Sequence, residues 1–313
     1  MNGAPDGGQE TPSGSHPGVM GAWLLAIRPR TLPLAIVPII VGSALAYAEQ
    51  QRFSFFVFAI ALLVALLLQI GANLHNDAAD FARGADDPGA RLGPRRATAE
   101  GWLTEAAVHR AAMLVFAIAF LSGLSLVTVG GVAILIVGIV SVVAGLAYSG
   151  GPWPISHTCL GEVFVWLFFG LVAVAGTWFL HTGTAPGWPA LTAGAVVGLP
   201  AAAVLVVNNT RDRDQDEANG RRTFPVVFGL DASRREYALL LLSPLPLSSW
   251  LLSETGGWWW LPWLVLPMAA RLLKSFFRLE PGPGLNGVLA DTARYGLVVG
   301  LLLAVGLLGP HLA

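Results

Sequence analysis

Uncharged apolar stretches of about 20 residues, the length that crosses a bilayer as a helix, recur from about residue 31 to the end of the chain. Lipid offers no partner for a bare peptide group, so such stretches must satisfy their own backbone, and successive helices do this. The composition agrees. With 55% hydrophobic residues, 12% charged residues and a mean hydropathy of +0.66, the chain is far less charged than the ~25% usual in soluble domains. A net charge of -1 gives no footprint for nucleic acid. A single cysteine, Cys159, excludes an intrachain disulfide and argues against a cysteine-ligated metal.

The opening "MNGAPDGGQETPSGSHPG" is rich in Gly, Pro and Ser and has no basic n-region, so residues 1-19 are expected to be a disordered tail and not a cleaved signal. Residues 20-313 read as one polytopic domain. Nine spans are predicted, at 31-49, 54-76, 106-128, 130-148, 160-181, 188-209, 236-253, 257-273 and 288-308. Cytoplasmic segments attract Lys and Arg. With a cytoplasmic N-terminus, all of the 18 basic residues except Arg52 fall in cytoplasmic segments or beside them. A multi-pass cell-membrane protein with its C-terminus outside is therefore expected.

Two loops, after spans two and six, hold dense carboxylates and guanidiniums: "NLHNDAADFARGADDPGARLGPRR" and "NNTRDRDQDEANGRRT". Equal parity of the two spans puts both loops on one side, as duplication of a four-helix unit would. Asn76 and Asp80 are four apart, as are Asp212 and Asp216, so each pair shares a helix face. Close carboxylates repel, and pairs such as Asp77 with Asp80 or Asp212 with Asp216 are best explained by a cation between them. Oxygen ligands without His or Cys select a hard ion such as magnesium. The interleaved Arg83, Arg91, Arg211, Arg221 and Arg222 suit phosphate oxygens, which their planar forks bind in pairs. Magnesium, carboxylates and arginines at the mouth of an apolar bundle point to a substrate with a diphosphate head and an isoprenoid tail.

Charges at the end of one transmembrane helix are usually solvated loop. Two clusters with matched ligand spacing, each followed by a glycine and basic residues, outweigh that reading. His75 is read as a polar helix end, Asp291 and Arg294 as a helix-end ion pair, and Trp258, Trp259 and Trp260 as an interfacial anchor. Glu162, at the mouth of span five, is either a site group or a cap. Asn208 and Asn209, in the apolar end of span six, are read as site residues, because buried amides need partners.

The chain resembles the dihydroxynaphthoate branch of the UbiA superfamily of intramembrane prenyltransferases. The resemblance is carried by "RPRTLP" at Arg28 to Pro33, "NDAAD" with Gly84 and Asp86 after it, "RLGPRR" from Arg91 and "GGPWP" from Gly150. It continues in "LGE" at Leu160 to Glu162, "FFG" at Phe168 to Gly170, "NNTRDRDQDEANGRRT" from Asn208 and "LNGVLADTA" from Leu285. It implies an all-α membrane protein of nine transmembrane helices around a central cavity. It further implies Asn76, Asp80, Asp212 and Asp216 as magnesium ligands, with Asp77 and Asp86 assisting. Many relatives have an aspartate where this chain has Gly84, a place for which Asp86 and Asp87 are the two candidates; the branch usually has tyrosine at His157 and glycine at Cys159. Tyr148, followed by "SGGPWP" without a cation, favours the naphthoate branch over the hydroxybenzoate branch, and Tyr148, Glu162, Asn208 and Asn209 join the arginines as substrate-binding candidates.

The implied reaction joins a polyprenyl diphosphate to 1,4-dihydroxy-2-naphthoate with loss of carbon dioxide, giving a demethylmenaquinone. The alternatives are another aromatic acceptor such as 4-hydroxybenzoate or homogentisate, haem farnesylation, and, from another class, a cation-coupled transporter. A transporter would place its carboxylates near the midplane, whereas these lie at span ends. The charge distribution predicts that single cysteines placed in loops 81-103 and 210-235 are shielded from an impermeant thiol reagent in intact cells. Labelling of those loops from outside would overturn the nine-span arrangement.

Overall fold

The computed structural model describes residues 17-84 and 92-312, and every described regular element is helical. Asp86, Asp87, Arg91 and most of the expected N-terminal tail lie outside the described residues. Helices α1 (Gly18–Ile27), α2 (Pro33–Gln50), α3 (Phe55–Ala82) and α4 (Glu105–Ser149) form the first part. Then α5 (Gly161–Val165) runs through a π-helical stretch, Trp166–Val172, into α6 (Ala173–Thr182), followed by α7 (Trp188–Arg211) and α8 (Arg213–Ala218). The chain continues through α9 (Phe224–Phe228), α10 (Leu230–Leu242), α11 (Pro244–Glu254), α12 (Leu266–Arg278) and α13 (Leu285–Leu312).

Local chemistry sets the ends. Ser54 and Thr104 cap α3 and α4, each side chain accepting from the backbone N–H three residues on, Val57 at 3.4 Å and Ala107 at 3.3 Å. Gly183 ends α6 in the left-handed conformation at φ 72°.

Six helical segments among the described residues are long and apolar enough to cross a membrane: α2, α3, α4, α5 through α6, α7 and α13. Nine were expected, and the difference has physical causes. A straight α4 of 45 residues would be roughly 67 Å long, about twice the ~30 Å hydrocarbon core. It breaks at Gly131 (φ 61°, ψ -155°), at the start of the fourth predicted span. The seventh predicted span divides at Pro244, whose ring removes a backbone donor, into α10 and α11. The eighth is shared between a 3-10 turn, Leu261–Val265, and α12.

The largest core joins α2, α6, α7 and α10 to α13 through Val41, Leu45, Val174, Val206, Leu241, Leu272 and Leu303. Two tyrosines inside it keep their hydroxyls satisfied: Tyr237 pairs with Thr292 Oγ1 at 2.7 Å, and Tyr295 donates to Leu241 O at 2.6 Å. A smaller core joins Val57 and Ala61 of α3 to Leu126 and Ile134 of α4 and Leu180 of α6. Outward-facing Leu114, Leu121, Val132, Ile136, Val140 and Val143 leave α4 with the apolar exterior that lipid requires. Arg294 donates to Asp291 Oδ1 at 2.7 Å, the expected helix-surface pair, and Trp258, Trp259 and Trp260 are exposed.

Backbone meets backbone where the π-helical stretch crosses α7. A Cβ on Gly170 would stand 2.4 Å from Gly194 O and 2.8 Å from Gly198 Cα. Gly194 and Gly198 are spaced four apart, the small-residue pattern that lets membrane helices approach. Gly170→Leu and Gly198→Val are therefore expected to lose at least about 1–3 kcal/mol to overpacking, read as a lower melting temperature in detergent. Gly176→Ala, whose added carbon meets nothing within 4 Å, should be close to silent.

Candidate active site

Polar residues break the apolar run of α3 at Gln69, Asn73, Asn76 and Asp80, and these four share one face, each three or four residues from the last. That face lines a cavity of about 720 Å³, within the range of small-molecule sites. Asn208 and Asn209 from the end of α7, Asp212 from the joint, and Gln215 and Asp216 from α8 line the same cavity. The structure thus brings together the pairs Asn76/Asp80 and Asp212/Asp216.

A single guanidinium spans the two motifs. Arg221 Nη2 donates to Asp80 Oδ1 at 3.1 Å, and its Nη1 lies 3.6 Å from Asp216 Oδ1. Arg96 donates to Asp80 Oδ2 at 2.5 Å and to Asn76 O at 3.2 Å, and His157 Nε2 stands 3.8 Å from Asp80 Oδ1. Asp216 accepts from Thr223 Oγ1 at 3.2 Å. Burial pushes the Asp216 carboxyl up to about 6, Arg221 opposing the rise and Asp212 adding to it. A cation in the cavity would favour the ionised form of Asp216.

Other sequence-predicted residues stand apart from the cavity. Asp77 is one helical step round from Asn76, 1% exposed, and accepts from Thr98 Oγ1. Arg83 donates to the carbonyls of Ser149 and, at 3.0 Å, Gly151, tying the end of α3 to the end of α4. Arg211 is 2% exposed and directed at Asp212, Asn208 and Asn286. Arg222 is exposed, and its backbone N–H donates to His157 O at 2.8 Å. Glu162 is buried, with Oε1 accepting from Asn209 Nδ2 at 2.7 Å, so it braces a cavity residue without lining the cavity itself. Tyr148 does line it, stacked on Phe164 with ring centroids 5.5 Å apart. His75, read as a polar helix end, places Nε2 3.1 Å from Leu146 O.

Arg28 and Arg96 line the cavity but were not among the candidates drawn from the sequence. Both fall inside quoted motifs, "RPRTLP" and "RLGPRR". Gln69 and Asn73 were also missed, and their signal was the polar stripe on α3, which continues the Asn76/Asp80 spacing towards the N-terminus.

The donors fit a hard cation. All are oxygens, and the side-chain oxygen of Asn76 is buried without a hydrogen-bond partner. Among the described residues no three carboxylates, histidines or cysteines are grouped closely enough to hold a metal unaided. Magnesium is commonly held by one or two carboxylates together with phosphate oxygens and not by an all-protein cage, which matches two separated carboxylate sets facing one space. Below the charged mouth the walls turn apolar, with Leu34, Val64, Leu68, Phe116, Phe120 and Leu124.

Comparison with known proteins agrees with this architecture. The chain is 37% identical over 295 residues to the 1,4-dihydroxy-2-naphthoate octaprenyltransferase of Escherichia coli (strain K12), covering 91% of this chain and 94% of that one. It is 33% identical over 282 residues to the protein of the same name in Mycobacterium tuberculosis (strain ATCC 25618 / H37Rv), covering 90% and 95%. Among solved structures, a UbiA homolog from Archaeoglobus fulgidus bound to GPP and Mg2+ aligns with a TM-score of 0.63 at 17% identity, over 91% of this chain and 98% of that one. The apo structure of a UbiA homolog from Aeropyrum pernix K1 aligns with a TM-score of 0.65 at 14% identity, over 91% and 98%. Residues 35–283 match the UbiA prenyltransferase family as a whole, and the chain belongs to that family of membrane prenyltransferases.

Proposed function

We propose that this prenyltransferase transfers a polyprenyl group from its diphosphate to 1,4-dihydroxy-2-naphthoate, with loss of carbon dioxide, at a magnesium-dependent site facing the cytoplasm. The observation that carries the reading is the single cavity that joins both acidic motifs at a charged mouth to a long apolar interior. An amphipathic diphosphate matches both ends, and each buried CH2 of its tail contributes about 0.8 kcal/mol. The acceptor is supported by the similarity to 1,4-dihydroxy-2-naphthoate octaprenyltransferases.

Asn76, Asp80, Asp212 and Asp216 hold magnesium in this reading, with Asp86, outside the described residues, assisting. The bound metal supplies charge neutralisation to the diphosphate and to the negative charge that grows on it as the C–O bond breaks. Arg28, Arg96 and Arg221 line the cavity and orient the diphosphate. Arg91, outside the described residues, and the exposed Arg222 are assigned to the same ligand from their motifs. Asn208 and Asn209 line the space beside the head group, with Glu162 fixing Asn209. Arg83, Arg211 and Asp77 act through the residues they hold. Tyr148 and Phe164 offer aromatic faces to a developing allylic cation.

The ring carbon bearing the carboxylate attacks C1 of the prenyl group as the diphosphate leaves. That carbon becomes tetrahedral and has no proton to lose, so the C–COO⁻ bond breaks, carbon dioxide departs and its electron pair restores the aromatic ring. The product is the demethylmenaquinone skeleton as its quinol.

Asp80→Asn and Asp216→Asn keep the side-chain volume while removing the charge, and each should lower turnover by at least about 100-fold, the scale of a lost charge-stabilising group. Both should still elute from size exclusion as the parent does. Near-parental turnover by either folded variant at saturating magnesium would overturn the two-motif site. The acceptor is tested with carboxyl-labelled dihydroxynaphthoate: labelled carbon dioxide should appear in step with prenylated product. Product that retains the label, or turnover of 4-hydroxybenzoate but not the naphthoate, would reject the naphthoate reading.

A further inference from the structure

Arg211 lies behind the cavity wall with a guanidinium occupied on three sides. Nε and Nη2 fork onto Asp212 Oδ1 and Oδ2 at 2.7 and 2.6 Å, and Nη2 also donates to Asn208 Oδ1 at 2.8 Å. Its Nη1 donates at 2.9 Å to Asn286 Oδ1, from the first turn of α13. The amide of Asn286 works in both directions, because its Nδ2 donates to Leu92 O at 2.9 Å. The next residue, Gly93, is packed on the same guanidinium: a Cβ there would stand 2.7 Å from Nη2 and 2.9 Å from Cζ.

We propose that Asn286, with Gly93, is a latch that positions Asp212 through Arg211 and fixes the segment returning from the first acidic loop against the second acidic motif. The proposal rests on the reading of Asp212 as a magnesium ligand, and it gives this chain's "LNG" motif a role that sequence spacing alone did not reveal. A carboxylate has about four lone-pair directions. The Arg211 fork takes one on each oxygen and leaves the others for the cavity that Asp212 lines. Asn286 suits its place because a side-chain amide accepts from Arg211 through its oxygen and donates to a carbonyl through its nitrogen at once. Gly93 suits its place because any side chain would push the guanidinium away from Asp212.

Neither Asn286 nor Gly93 lines the cavity, so substitutions there alter aim without removing a ligand. Asn286→Leu deletes both hydrogen bonds at similar volume, and Gly93→Ala displaces the guanidinium while leaving every hydrogen-bonding group in place. The readouts are the rise in melting temperature that magnesium plus geranylgeranyl S-thiolodiphosphate gives the purified protein in detergent, and the magnesium concentration for half-maximal turnover. Both variants should show a smaller ligand-induced rise and a magnesium requirement increased about tenfold, the lower end of what loss of an outer partner costs a metal site. Turnover at saturating magnesium should approach the parent's, and the KM for the aromatic acceptor should not move. If Asn286→Leu fails to fold, Gly93→Ala decides the matter. An unchanged magnesium requirement together with an unchanged ligand-induced rise, in a folded variant, overturns the latch. Turnover lost equally at all magnesium concentrations does so too. The thermal readout contains no acceptor, so a wrong acceptor leaves it intact. A parent protein with no magnesium-dependent rise would instead reject the metal site and the latch with it.

Discussion

Asp80 and Asp216 come from motifs more than 130 residues apart in sequence, and the guanidinium of Arg221 stands between them. Carboxylates gathered at the end of an apolar bundle repel one another and lose hydration, and both effects destabilise the site. Arg221 and Arg96 offset both. Removing one member of such a group leaves the others charged and buried, so the helix ends that carry them are coupled: α3 through Asp80, α8 through Asp216, and the segments holding Arg96 and Arg221.

Much of this was legible in the sequence, because bilayer physics leaves few options. Apolar length gave the helices, and four-residue spacing selected Asn76 with Asp80 and Asp212 with Asp216, all of which line one cavity. Spacing fails where direction matters. Asp77 is the same residue type as Asp80 and three residues away, yet it is buried against Thr98, and nothing in the composition of "NDAAD" separates the two. The arginines show the same limit. A guanidinium beside carboxylates in sequence either lines the cavity, as Arg221 does between Asp80 and Asp216, or braces the backbone, as Arg83 does at Ser149 and Gly151. Long-range partners decide which, and Asn286 is 75 residues from Arg211.

Six long apolar helices among the described residues stand where nine spans were expected, for a related reason. Hydropathy measures how greasy a segment is, not whether its backbone runs unbroken: a glycine at φ 61° divides the long α4 near the predicted boundary, while a proline at the start of α11 splits a predicted span without changing the apolar signal. Glu162 shows how a third outcome arises when two are considered. The sequence offers a site group or a cap, and the structure shows a buried carboxylate that accepts from Asn209, which lines the cavity.

The two walls of the cavity are built differently, and the difference follows from what each must hold. On one side α7 is fixed at mid-length by glycine contacts to the π-helical stretch and at its end by Arg211 and Asn286, so the oxygens of the second motif stand on a rigid support, as charge recognition demands. On the other side the C-terminal half of α4 is one helix thick between cavity and exterior. Ile134, Gly138, Ser141 and Gly145 line the cavity, while Ile136, Val140 and Val143 face outward. An apolar tail is held by area and not by direction, so this wall can be thin and rich in small residues without loss of binding. The directed contacts are gathered at the charged mouth, where Arg96 and Arg221 meet Asp80 and Asp216.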